Sequence, residues 1–165
     1  MIRGKVHKFG DNIDTDAIIP ITAVGLTDPG ELGRHCMGNI DPGFADRVEP
    51  GDIIVGGANF GCGSSREIAP WSIKGAGISL VIAVGFARIF FRNAINIGLP
   101  VMQSPQAAEA IGSGEDLEVD PGRGLIRNLT TGETFTAAPY PKFVQELISG
   151  GGLVEYIRRQ MAASG

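Results

Sequence analysis

The chain is poor in metal-binding and disulfide-forming residues, with two cysteines and two histidines among 165 residues. Cys36 and Cys62 lie far apart and lack the paired spacing of zinc or iron–sulfur sites. A metal centre or cluster held by this chain alone is therefore excluded, and two free thiols in a reducing cytoplasm are expected. Neither sign of charge dominates: 14 Lys and Arg against 18 Asp and Glu give a net charge of −4, and the charges are scattered. That pattern excludes nucleic acid and anionic membrane surfaces as partners. No stretch is long and apolar enough to cross a bilayer as a helix. No apolar run follows the basic residues of Met1-Ile2-Arg3-Gly4-Lys5-Val6, so no signal peptide is expected. There is no internal repeat.

What is present is 43% hydrophobic and 19% charged, the balance of a globular chain. The length suits one compact domain over residues 1–165. The chain is organised around Gly56-Gly57-Ala58-Asn59-Phe60-Gly61-Cys62-Gly63-Ser64-Ser65-Arg66-Glu67. Before this stretch, Asp52-Ile53-Ile54-Val55 reads as a buried strand, and after it Glu67 to Ala76 reads as a helix. Four glycines permit positive φ or close approach to a small ligand. Two hydroxyls and the Arg66 fork then stand at a helix entrance whose free N–H groups favour an anion. The fork suits a carboxylate or a phosphate. The bland alternative is that Ser64 caps the helix and Arg66 is a surface charge. A P-loop is excluded, because Cys62 and Gly63 stand where Lys and Ser or Thr are needed. A dinucleotide fingerprint fails at Arg66, and no acidic residue ends the strand Ile78 to Val84.

The remaining pattern supplies mixed strands about a βαβ centre. Gly4 to Phe9 reads as a first strand. Asp11, Asn12, Asp14, Thr15 and Asp16 form a polar cluster without EF-hand spacing, which reads as capping of an irregular loop. Asp28-Pro29 starts a short helix to Cys36, and His35-Cys36 within it reads as packing. Phe86 to Ile97 has helical period, with Phe86, Ile89, Phe90, Ala94 and Ile97 on a core stripe. Arg88, Arg92, Asn93 and Asn96 occupy the other side, as a solvated face or a partner contact. Leu99 to Met102 is a short strand and Ser104-Pro105 opens a helix to Ile111. Leu117 to Val119, Gly124 to Leu129 and Thr134 to Ala137 read as antiparallel strands. Pro141 to Ile148 and Leu153 to Arg159 are closing helices.

Three separated stretches, in this order, resemble one family. They are Phe9 to Pro20, Asn59 to Glu67 and Phe86 to Pro100. Together they resemble the small subunits of 3-isopropylmalate dehydratases and the swivelling domain of aconitases. The resemblance implies an α/β fold, the swivelling β/β/α domain of the aconitase C-terminal type. It implies a hydro-lyase active only with a large subunit, as a heterodimer or heterotetramer, in cytoplasmic leucine biosynthesis. The 4Fe-4S cluster would be carried by that large subunit. By resemblance Ser64 is the catalytic base, Ser65 and Arg66 bind a substrate carboxylate, and Asp14 or Thr15 supports the site. Thr22, Ala23 and Val24 would read the substituent on the substrate's far carbon. The chain departs from the resembled pattern at Ile68, where the family usually has a supporting His. It departs also at Ile21 to Gly25, where relatives often carry an Arg-Tyr-Leu type sequence. Small apolar groups there favour an alkyl substituent over a carboxylate, so 3-isopropylmalate ranks first. Dimethylmalate follows and homoaconitate comes last. A catalytically silent assembly partner and a stand-alone phosphate-binding module remain as alternatives from other classes.

Overall fold

The computed structural model describes residues 1–64 and 66–164. Four strands run parallel: β1 (Ile2–Lys8), β2 (Ile53–Gly56), β3 (Leu80–Ala83) and β4 (Val101–Gln103). Their register pairs Val6 with Ile53, Val55 with Ile82, and Ile82 with Met102. β2 and β3 are buried at every residue, as continuous apolar runs in a parallel sheet should be. Helix α4 (Ile68–Gly75) crosses from β2 to β3, and α5 (Arg88–Asn96) crosses from β3 to β4.

β1 belongs to two ladders. Its second half joins β2, whereas Ile2–Lys5 pairs antiparallel with β5 (Asp116–Asp120). β6 (Leu125–Asn128) and β7 (Thr134–Thr136) extend that ladder, giving the order β4-β3-β2-β1-β5-β6-β7. The sequence pattern places the first strand at Gly4 to Phe9. It begins earlier because β5, over a hundred residues away, supplies a partner for Ile2 and Arg3.

The sheet curls so that its antiparallel half covers one face of its parallel half. Val6, Ile53, Val55, Leu80, Ile82 and Met102 share a buried cluster with Leu117, Val119 and Ile126. The opposite face, through Ile54, Val81, Ala83 and Val101, packs beneath helices. Ile73 of α4, with Phe90 and Ala94 of α5, fills that second cluster. The layering is β/β/α, as expected. α6 (Pro105–Ala110) packs with the first cluster, and α7 (Lys142–Ser149) sends Leu147 into the second. Four short helical segments lie between β1 and β2: α1 (Thr15–Ile18), a 3-10 turn (Ile21–Ala23), α2 (Pro29–Arg34) and α3 (Phe44–Arg47). α8 (Leu153–Ser164) closes the chain and runs past the expected end at Arg159.

One sequence expectation is corrected on α5. Ile89, assigned to the core stripe, is 52% exposed, while Ile95 is buried. The helix starts at Arg88 and not at Phe86. Phe86 lies in the segment before it, in a parallel bridge with Phe60. The rest of the stripe holds: Phe90 and Ala94 are buried, and Phe86 and Ile97 pack against the core.

Candidate functional site

The loops that leave the carboxyl ends of β1, β2 and β3 lie side by side at one end of the parallel sheet, where sheets of this kind bind ligands. Backbone hydrogen bonds stitch them together. Gly57 N–H donates to Gly10 C=O at 3.0 Å, and Asn12 N–H donates to Ala58 C=O at 2.8 Å. Gly61 N–H donates to Ile13 C=O at 2.7 Å, and Thr15 N–H donates to Cys62 C=O at 2.9 Å. On the other side, Phe60 N–H donates to Gly85 C=O and Ala87 N–H donates to Phe60 C=O, both at 2.9 Å. The signature loop is thus held on both flanks by its neighbours.

The polar cluster at residues 11–16 does what its residue types predict and adds one contact. Asp11 accepts from Ala58 N–H at 2.8 Å, and Asp14 caps α1 by accepting from Ala17 N–H at 2.7 Å. Asp16, at the surface, forms an ion pair with Arg66 at 2.8 Å. Sequence reasoning missed this partner. No spacing rule links positions 16 and 66; only the stitched loops bring them together.

Glycine is required at one point above all. Gly61 has φ +82°, and a Cβ there would sit 2.2 Å from the Phe90 ring. The loop consequently rests on an aromatic floor. Phe60 and Phe90 meet edge to face with centroids 5.4 Å apart, and Phe86 stacks on Phe90 at 6.2 Å. A floor of this kind fixes the loop's height above the core.

Above it lies a concavity of about 290 Å³. One wall carries Thr15, Gly61, Gly63, Ser64 and Arg66; the other is the start of α5, Ala87 to Phe90, together with Asn93. Ser64 is exposed, and its Oγ lies 3.1 Å from the buried Thr15 Oγ1. Either hydroxyl can donate. Arg66 is three-quarters buried. Its Nη1 is the atom nearest Asp16, yet it makes no aligned hydrogen bond among the described residues. A buried guanidinium nitrogen without an aligned acceptor favours an arriving carboxylate or phosphate oxygen.

Two features of the sequence-based site look different in three dimensions. The helix behind the concavity is α5, whereas the glycine loop leads into α4. At α4 the Ala69 N–H is spent on Arg66 C=O, Pro70 has no N–H, and no side chain caps the helix. Ser64 is thus not its cap. Second, the concavity's lining does not include Thr22, Ala23 or Val24. Thr22 and Val24 are exposed on the 3-10 turn, but Ala23 is fully buried in the helix-side core. Ala23 cannot present its methyl to a ligand, because that methyl closes the turn onto the core. Ser65 lies outside the described residues. Ile68, at the first position of α4, packs against the helix-side core.

The two cysteines differ in environment. Burial pushes the Cys36 thiol up to about 12, opposed by a contact from Ser72. Cys36 is a packing residue and no nucleophile. Among the described residues no group of three His, Cys, Asp or Glu side chains is placed to hold a metal ion. No helix is long and apolar enough to cross a membrane among them.

The chain can now be set beside known proteins. The profile of the aconitase C-terminal domain matches residues 36–106. A protein named 3-isopropylmalate dehydratase small subunit, from Moorella thermoacetica, is 58% identical over 164 residues and covers 99% of both chains. An isopropylmalate/citramalate isomerase small subunit from Methanocaldococcus jannaschii is 52% identical, covering 99% of this chain and 98% of the other. A crystal structure of a 3-isopropylmalate dehydratase from Methanocaldococcus jannaschii superposes with a TM-score of 0.93 at 44% identity. It covers 99% of this chain and 96% of that one.

Proposed function

We propose a function from one premise: the chain belongs to the family of 3-isopropylmalate dehydratase small subunits. It is the small subunit of a hydro-lyase that interconverts 2- and 3-isopropylmalate by dehydration and rehydration, in leucine biosynthesis in the cytoplasm. The observation that carries this is the match of 58% identity spanning 99% of each chain. The fold is the aconitase C-terminal type, and a swivelling domain of this type covers a larger one. The working enzyme is therefore a complex with a large subunit.

A 4Fe-4S cluster needs thiolate ligands, commonly four. Two cysteines, one with its thiol buried and inert, do not fit that requirement. The cluster belongs on the large subunit, where it would supply a Lewis acid for the departing hydroxyl. This chain's residues have the other tasks. Ser64 takes the proton alpha to a carboxylate. As an alkoxide it accepts a hydrogen bond from Thr15 Oγ1, 3.1 Å away. A hydrogen bond to a charged acceptor contributes about 1.5–3 kcal/mol, or about 1–2 pKa units. That alone does not bring a serine hydroxyl to neutral pH. The Arg66 guanidinium on the same wall of the concavity and exclusion of water by the partner supply more.

Arg66 and Ser65 bind one substrate carboxylate, and Asp16 holds the guanidinium in place before substrate arrives. Thr22 and Val24, exposed on their turn, read the alkyl group once the large subunit closes the site, with Ala23 holding the turn from beneath. The Methanocaldococcus relative is named for isopropylmalate and citramalate, alkyl malates of different bulk. A panel of alkyl malates, citrate and homocitrate separates that broader range from strict isopropylmalate use.

Ser64→Ala, assayed in the complex with the large subunit, is expected to lower turnover at least a hundredfold, the scale of a lost general base. Assembly measured by gel filtration should be unchanged. Near-normal turnover would remove Ser64 from the role of base.

A further inference from the structure

Resting on the reading above, we infer that Arg88 anchors the substrate carboxylate that Arg66 does not hold. A malate derivative carries two carboxylates, and on this chain the motif supplies one guanidinium. In the structure that guanidinium is already paired with Asp16 at 2.8 Å, so its charge is partly offset before any ligand binds. A second carboxylate in a closing, drying cleft is favoured by a second cation on this chain's side of the chamber. Among the described residues, Arg88 is the only other cationic residue lining the concavity that contains Ser64 and Arg66. It stands on the opposite wall, at the first position of α5, so a ligand between the walls meets one arginine from each side. Its side chain is exposed and takes no ion pair or hydrogen bond among the described residues. The neighbouring cationic side chains do not share this placement: Arg92 lies outside the lining, and Lys74 donates to Ile97 C=O at 2.7 Å.

The backbone holds Arg88 in place. Ala87, the residue before it, donates to Phe60 C=O at 2.9 Å, and Phe91 N–H closes the first turn on Ala87 C=O at 3.0 Å. Phe90, two residues on, is buried against Phe60 and Phe86. The start of α5 is thereby tied to the loop that bears Ser64, and the backbone positions that carry the two arginines are held on facing walls of the cleft. Arg88 acts by binding and orienting substrate and moves no proton.

The test is steady-state kinetics of the complex with the large subunit, comparing wild type with Arg88→Gln and Arg88→Lys. Arg88→Gln should raise KM for 3-isopropylmalate about 10- to 100-fold, the scale of one charge-assisted contact. Arg88→Lys should recover part of that rise, since it keeps the charge without the fork. A second measurement separates binding from assembly. An alkylsuccinate inhibitor and its monoamide should differ in inhibition constant for wild type, and Arg88→Gln should erase most of that difference. The affinity of the two subunits, measured by titration, should change less than threefold. An unchanged KM overturns the inference, as does an equal loss for the diacid and the monoamide. So does a rise in KM matched by weaker assembly. A wild-type complex that fails to turn over the substrate would overturn the functional reading itself.

Discussion

At the scale of single residues, burial and hydrogen bonding decide which charges stabilise the fold. Asp52 immediately precedes β2 and is 7% exposed. Burial alone would raise its carboxyl. Donation from Glu49 N–H at 3.0 Å, the His7 ring at 2.8 Å and Lys5 N–H at 3.4 Å outweighs it, and the carboxyl is held below the usual carboxylate range. A depressed folded pKa contributes stability that is present above the unfolded value of about 4 and lost as pH falls through the folded value. Asp52→Asn should therefore cost about 1–2 kcal/mol at pH 7. The gap between variant and wild type should close as pH drops below about 4. Urea unfolding followed from pH 7 to pH 2.5 measures this. A gap that stays constant across that range would show that the ionised form is not what stabilises.

At the scale of elements, close approach of helices depends on residues without side chains. α2 and α4 cross at Gly33 and Gly75. A Cβ on Gly75 would lie 1.8 Å from Pro29 C=O oxygen, and one on Gly33 would lie 2.3 Å from the Gly75 carbonyl carbon. Gly75→Ala should push the helices apart and cost about 1–3 kcal/mol. Gly10→Ala, with open space around it, should stay within about 0.5 kcal/mol. Denaturant midpoints of the two variants check this, and equal midpoints would refute the packing account.

The same scale explains what the sequence could and could not reveal. β2 and β3 were legible because a strand buried on both faces must be apolar throughout, and theirs are. The turns and strands of the β5–β7 ladder were legible from alternation and from Gly124 and Gly132. Ser64 and Arg66 stood out because hydroxyl and guanidinium follow a glycine-rich loop after a buried strand. Asp16 and Arg88 did not emerge as partners of that loop, since their positions follow from loops stitched side by side, a tertiary fact with no local pattern. The start of α5 was misjudged because Phe86 is apolar and helical in spacing but belongs to an extended bridge. Ala23 passed for a ligand-facing residue because a small apolar side chain looks alike on a surface turn and beneath one.

At the scale of the whole molecule, a net charge of −4 supplies no long-range attraction for a dianionic substrate. In the proposed site, binding draws on the local pair of arginines and on closure by a partner. The concavity holds a hydroxyl held by a buried threonine, a guanidinium with an unaligned buried nitrogen, and a free arginine opposite. These groups can take a proton and hold carboxylates, but none of them assists a hydroxide to leave. The central claim is that this chain is half of a reaction chamber. It is tested most directly by measuring isopropylmalate turnover for the purified chain, for its large-subunit partner, and for their mixture. The account predicts no turnover from either alone and full turnover on mixing, saturating at a fixed subunit ratio. Turnover by the large subunit alone, unchanged when this chain is added, would contradict it.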